Sequence, residues 1–589
     1  MRTLCWVVGL LAISSWMGGD GAAADQGAAA PRRTFRSGDY RVDVDLRPQV
    51  LRITVPRNSL GPRADRLPIH PSPVTPGSSD FLSAALLAQK AKQFDDGLVA
   101  AVELAAEQGL GRFPGKAALL RTVCAALSDS GSTREAREVM FAASQLGGVA
   151  VAPPPDLAAG LAARLAAFER ADFASKPVGF YTWSPGLRAI FRQDRMLQTQ
   201  LHDAHSAPAL ARALRGEGAT TAYEAMLALA ERLTNPLAWG DLRPLLARGA
   251  VRETLSFFPP SASYESRLVK RLFGGLPPPA DFNLADEIVT RVRDGRLSLV
   301  PGLESGWYDR LVWSYEPLLA PERTPEAARL RTGDDYRALL VESFKGLLAL
   351  TRETQIKQLD VPVMTGCVRG PAEPPIYVYP ELTIEPLATH FLRRAQAYAY
   401  VRQVIEQAFG ADALSHLWRM TETGPATIPL RAELESMRAL FVGAHALACR
   451  QLGLPPDASV RAEAPADIER LEAWRATLAS DPDVSGDTRM MVPLFSDPIR
   501  GQTKVWVVLG WAQRSLDVQF DAPPAVTVRK AANGRIARSH PPVMFGGTSG
   551  TIQFPVVAEV YVSRVLDRDE FRRLCDQQRT RDAILQALQ

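Results

Sequence analysis

Apolar positions along this chain change their spacing twice, and each change marks a different kind of element. Tyr40, Val42, Val44 and Leu46 alternate with polar residues, as do Leu51, Ile53 and Val55. That period of two predicts short strands on either side of Pro48. A strand pair alone buries too little to be stable, so these strands are expected to join a sheet formed elsewhere in the chain. A Pro-, Ser- and Gly-rich linker follows from Arg57 to Asp80. From Phe81 to Gly148 the spacing becomes helical and Ala-rich. Val102–Ala106 and Val139–Ala143 echo each other, and each runs on to a glycine stop at Gly109 or Gly147. The echo fits two tetratricopeptide-like hairpins, whose period is about 34 residues, or an ordinary helical bundle. The bundle is the simpler expectation, because two repeats seldom stand alone.

Residues 151–490 read as a long helical body cut by Pro-rich turns at 153–155, 259–260, 277–279 and 374–375. Its strongest helices are Leu339–Leu350, Phe391–Ala408 and Leu430–Leu452. In the second, Leu392, Ala395, Tyr398, Val401, Ile405 and Ala408 fall on one face. After Met490 the strand pattern returns at Thr503–Trp511, Leu516–Phe520, Ala525–Val528 and Thr551–Ser563. A charged amphipathic helix, Arg568–Leu588, closes the chain. The fold class is therefore α+β, predominantly α-helical, with a small antiparallel β unit and a terminal helix at the C-terminus. The expected segments are a leader (1–24), the strand pair with its linker (25–80), helical hairpins (81–150), the main helical domain (151–490) and the β unit (491–589).

The leader changes the picture most. Met1-Arg2-Thr3 carries one positive charge, Cys5 to Met17 is almost wholly apolar, and Ala22-Ala23-Ala24 is an A-x-A exit. Together they predict a secretory signal peptide cleaved near Ala24, with the mature protein periplasmic or extracellular. The apolar run is shorter than the roughly 20 residues of a membrane span. No later stretch is long and apolar enough either, so no stable membrane insertion is expected after cleavage. With 46% hydrophobic and 22% charged residues and a net charge of +4, the chain has an ordinary globular composition. Its basic residues are mostly Arg, spread without an aromatic-interleaved cluster, so no nucleic-acid partner is expected. Cys124, Cys367, Cys449 and Cys575 remain after cleavage and admit one long-range disulfide or none. None has C-x-x-C spacing.

Candidate chemistry is sparse. His202 and His205, the only close histidine pair, could share a helix face and grip a metal, but no third ligand is identifiable and none of the usual metal motifs is present. Glu381 and Glu385 flank a strand-like stretch, where four residues span about 13 Å. Paired glycosidase carboxylates stand about 5–9.5 Å apart, which excludes these two as a catalytic pair. Glu381 or Glu385 acting singly, Glu353 and Tyr379 remain candidates for a polar pocket. Tyr181, Trp183 and Trp307, in aromatic loops, together with Arg352, are candidates for ligand contact, because Trp and Tyr combine apolar area with a polar handle. No G-x-S-x-G elbow, phosphate loop, dinucleotide motif or calcium loop occurs, and no cofactor is expected.

Three stretches resemble an uncharacterised family of exported bacterial proteins, whose domain has no assigned function. They are Thr351 to Gln358, the run PPIYVYPELTIEPLATHFLR from Pro374 to Arg393, and FPVVAEVYVSRVLDRDEFRRL from Phe554 to Leu574. The resemblance covers the C-terminal half and implies export and a shared fold, with no activity attached. The expected function is a soluble exported protein that binds an unidentified protein or small molecule through its helical body and aromatic loops. The alternative is an exported hydrolase or metal-dependent enzyme with a pocket around Glu353, Tyr379 and Glu381.

Overall fold

A computed structural model describes residues 32–588 except 38–39, 47–48, 57–68, 75–80, 129–132, 217, 250–254, 275–277, 280–281, 356–376, 498–500, 537, 539–542 and 579. The leader, Lys357 and Cys367 lie outside the described residues. The architecture is α+β and predominantly helical.

Strands from both ends of the chain build the sheets. β1 (Arg32–Ser37), β2 (Tyr40–Asp45) and β3 (Leu51–Thr54) open the chain, and β4 (Leu330–Thr332) lies in its middle. β5 (Met490–Asp497), β6 (Gln502–Phe520), β7 (Ala525–Lys530) and β8 (Thr548–Val562) come from the C-terminal part. β6 pairs antiparallel with β8 along nearly its whole length. Its other edge takes β5 at one end and β3 at the other, and β3 in turn pairs parallel with β4. β2 sits between β1 and β7 in a second sheet. The expectation that the first strands join a distant sheet is met on both counts. Val42 and Val44 of β2 bury against Val528, and Leu51 and Ile53 of β3 bury in the main core.

The central strand β6 is apolar on both faces because both faces are covered. Trp506 and Val508 point into the main core, while Val505, Val507 and Leu509 meet Phe571, Cys575, Ile584 and Leu588 of the C-terminal helices. Those helices are two, Arg568–Gln577 and Arg581–Leu588, where a single one was expected. The first opens with a capping box between Asp567 and Glu570.

Five helices carry the body: α1 (Ala84–Gln108), α2 (Trp307–Ser314), α3 (Asp334–Gln355), α4 (Ala388–Phe409) and α5 (Leu430–Leu452). α1 is buried on nearly every side. Its N-terminus is closed by Ser83, whose Oγ accepts from Leu86 N, and by Glu385, whose carboxylate accepts from Ala84 N at 2.9 Å and from the Tyr336 hydroxyl at 2.8 Å. Glu385, set aside above as half of a catalytic pair, thus caps the central helix. α3 crosses β8 at Gly346, where a Cβ would overlap the ring of Pro555. One contiguous core runs from Leu51 to Phe554, across the expected segment ends at 150 and 490. The Ala-rich hairpins therefore pack into this common core, with α1 against α3 and against the Pro185–Leu197 helix.

Candidate functional site

Charged residues lie inside the body where the amphipathic pattern expects apolar ones. Lys92 and Asp96, one turn apart on α1, form an ion pair, and the same Lys92 ammonium donates to Glu353 of α3 at 2.5 Å. Thr354 Oγ1 donates to the other oxygen of Asp96 at 2.5 Å. All four side chains are buried. Next to them Asp95 accepts from Arg394 at 2.8 Å and from the Tyr398 hydroxyl at 2.9 Å, both on α4. Two adjacent acids of α1 thus tie it to α3 on one side and to α4 on the other.

Burial alone would release the proton from the Lys92 ammonium, but Asp96 and Glu353 together outweigh it and hold its pKa above the ordinary value. Two carboxylates share that one cation. Burial, reinforced by the charge of Glu353, pushes Asp96 up to about 6 against the pull of Lys92 and Thr354. The sequence signal for this cluster was slight: Lys92, Asp95 and Asp96 interrupt an Ala- and Leu-rich helix that is buried on nearly every side, and a helix so buried puts charges in the interior.

Two cavities open beside the end of α3, separated by the turn Gly179–Thr182. Gly179 has φ +55°, and a Cβ there would overlap the Glu353 carboxylate, so only glycine lets the turn lie against the ion pair. The inner cavity has a volume of about 130 Å³. Its apolar wall includes Val99, Val102, Met226, Leu229, Leu233 and Phe258. Its polar wall is mostly paired: the Tyr181 hydroxyl donates to Glu103 at 2.8 Å, and Lys116 donates to Asp194 at 2.5 Å and lies 3.3 Å from Glu107. Gln355 also lines the cavity; the residue is 6% exposed, and both atoms of its amide are fully buried without a hydrogen-bond partner among the described residues.

The outer cavity, about 540 Å³, is bordered by Trp183, Glu353, Met490, Met491, Arg568 and Arg572, among others. Glu353 is held there by Lys92 beneath the Gly179 turn. Arg568 is engaged by Glu422 and the Asp487 carbonyl, and Arg572 donates to the same carbonyl at 2.6 Å.

The candidate residues scatter. The pocket expected around Glu353, Tyr379 and Glu381 does not form, because neither Tyr379 nor Glu381 lines the cavity that Glu353 borders. Tyr379 is 46% exposed, and Glu381 is an exposed partner of Arg33 in β1. Arg352 is fully buried on another face of α3, 3.3 Å from the Ser263 hydroxyl and 3.5 Å from the Glu265 carboxylate. Trp307, expected in an exposed loop, is 0% exposed and starts α2 against Tyr398, because the apolar stretch that follows it is helical and packs on α4. Tyr181 and Trp183 do border cavities, the inner and the outer respectively. His202 and His205 lie exposed in the turn before the Ser206–Ala213 helix, off any shared helix face. The His202 backbone N–H goes to Glu135, and that of His205 to Asp203. Among the described residues no group of three or more His, Cys, Asp and Glu gathers within metal reach. Cys124, Cys449 and Cys575 are buried free thiols.

Asp96 should therefore make stability depend on pH in a defined direction. Well below pH 4 it is protonated in folded and unfolded chains alike. As pH rises to 6 the unfolded chain releases this proton first, so the folded state loses stability relative to it. Asp96→Asn keeps an acceptor for Thr354 and removes that titration. Urea unfolding at pH 4 and pH 7 should show the variant gaining on the parent by on the order of 3 kcal/mol across the window. Parallel curves for the two proteins would show that Asp96 does not titrate there.

No family model, curated protein or solved structure matches this chain.

Proposed function

We propose that this chain is an exported binding protein that seats a small molecule in the inner cavity at the end of α3. One observation carries the reading: the cavity joins an apolar wall of Val99, Val102, Met226, Leu229, Leu233 and Phe258 to a few polar side chains that are already paired. The cavity is close in size to one that accepts benzene, roughly 150 Å³. Its lining of apolar side chains with a few polar groups is typical of ligand seats. The polar candidates of a hydrolase support no such case, since Glu353 is bound to Lys92 and neither Tyr379 nor Glu381 lines either cavity. Export rests on the leader pattern of residues 1–24. No helix among the described residues is long and apolar enough to cross a membrane.

Gln355→Met replaces the amide with an apolar group of similar length. In the ligand-free protein it should raise the denaturant midpoint, by on the order of 1 kcal/mol in stability, through removal of the unpaired amide. A loss of stability instead would mean that the Gln355 amide is already satisfied. Export has its own check. Expressed with its leader in a Gram-negative host, the protein should be recovered outside the cytoplasm with an N-terminus near Asp25. An intact N-terminus on cytoplasmic protein would contradict it.

A further inference from the structure

We infer that a second site, the cleft where β4 meets the first turn of α3, binds an oxyanion, a carboxylate or a phosphate monoester, carried on an apolar body. This cleft shares no lining residue with the inner cavity, so neither site depends on the other.

Strand register creates the site. β3 and β4 run parallel with Arg52 opposite Arg331, so the two side chains leave the sheet on one face, side by side. Like charges set directly across from each other on neighbouring strands are destabilising. Arg337, in the first turn of α3, brings a third guanidinium to the same cleft. Asp521 takes Arg52. The other two have only neutral partners: Arg331 donates to the Ala327 carbonyl at 2.6 Å, and Arg337 donates to the Thr332 hydroxyl at 2.8 Å. Among the described residues neither has a carboxylate within ion-pair reach. Two acids also line the cleft. Glu326 is buried, and its two oxygens accept from the Thr389 N–H at 2.6 Å and the Thr389 hydroxyl at 2.7 Å. Glu322 is exposed and engages neither arginine. Three cations thus face two acids, and two of the three lack an anionic partner.

The donors are within reach of a ligand, since Arg331 is exposed and Arg337 only half-buried. A guanidinium fork offers paired N–H groups that match two oxygens of a carboxylate or phosphate, which is the chemistry this cleft leaves unanswered. The remaining wall is apolar: Leu330, Leu340 and Leu387 are buried, and Pro317, Pro321 and Pro386 stand beside them. An inorganic ion would leave that surface unused, whereas a hydrocarbon body behind the anionic head covers it.

The test is calorimetric titration of the mature chain at low salt with four probes that share one ring: benzoate, phenyl phosphate, benzyl alcohol and benzylamine. At least one of the two anions should bind, and the double variant Arg331→Gln, Arg337→Gln should weaken it roughly tenfold or more. Binding of benzoate alone assigns a carboxylate, and binding of phenyl phosphate alone assigns a phosphate ester. The alcohol and the amine should show no binding that the double variant removes. Arg337→Lys keeps the charge but loses the fork, so it should also weaken the anion. Glu322→Gln removes a competing acid and should strengthen it. The double variant should keep the parent's urea midpoint, since no carboxylate loses its partner. An anion that binds parent and double variant alike, an alcohol or amine whose binding needs the two arginines, or no anion binding at all overturns the assignment.

Discussion

One buried ammonium shared by two carboxylates fixes the end of α3 against α1. Lys92 draws Glu353 across from α3 to α1 while holding Asp96 of its own helix, and Thr354 closes the arrangement from the α3 side. Such a cluster is a poor source of net stability, since removing charges from water costs much of what their attraction returns. What it supplies is position. Apolar packing between two helices tolerates small slides, whereas an ion pair of this length with a third hydrogen bond does not. The last turn of α3 is thereby fixed against α1, and with it the place of Gln355. The Gly179 turn depends on the same contact, because it can approach only where Glu353 is drawn toward Lys92 and only without a side chain. The two cavities exist because that turn and that helix end stand where they do.

The second acid of α1 extends the constraint. Asp95 holds Arg394 and Tyr398 of α4, so adjacent residues on one helix orient two neighbours. The far end of α1 is set by Glu385 and Ser83, and Ser83 also donates to Gln553 of β8 at 2.7 Å. Sheet and helices are therefore linked through polar contacts at the N-terminus and in the first half of α1. The first strands complete the β part, β2 on β7 and β3 on β6, so residues near both ends of the chain share one core.

Much of the fold was legible because periodicity is a local signal. The helix expected over Leu430–Leu452 forms with those bounds, and the one over Phe391–Ala408 extends by only a few residues. Failures occurred where tertiary contacts override local chemistry. Gln513-Arg514-Ser515 read as a break between strands, yet β6 continues through it, with Arg514 buried and its guanidinium 5.9 Å from the centre of the Phe554 ring. β5 was not among the strands expected after Met490. Its Pro493 is accommodated by a register shift beside β6. The site was far less legible. Exposure cannot be read from residue type, so Trp307 resembled a surface aromatic and is core, while Gln355 gave no signal at all. The pairing of Lys92 with Glu353 spans 261 positions, beyond any local pattern. Only the oddity of charges within an apolar helix hinted at it.

What occupies the inner cavity decides the matter. A crystal structure of the mature protein, purified without denaturation from its exported compartment, would show this directly. The expected result is compact density against Val102, Leu229 and Phe258 that is not attributable to water. A cavity filled by the chain's own side chains, or by ordered waters alone, would contradict it.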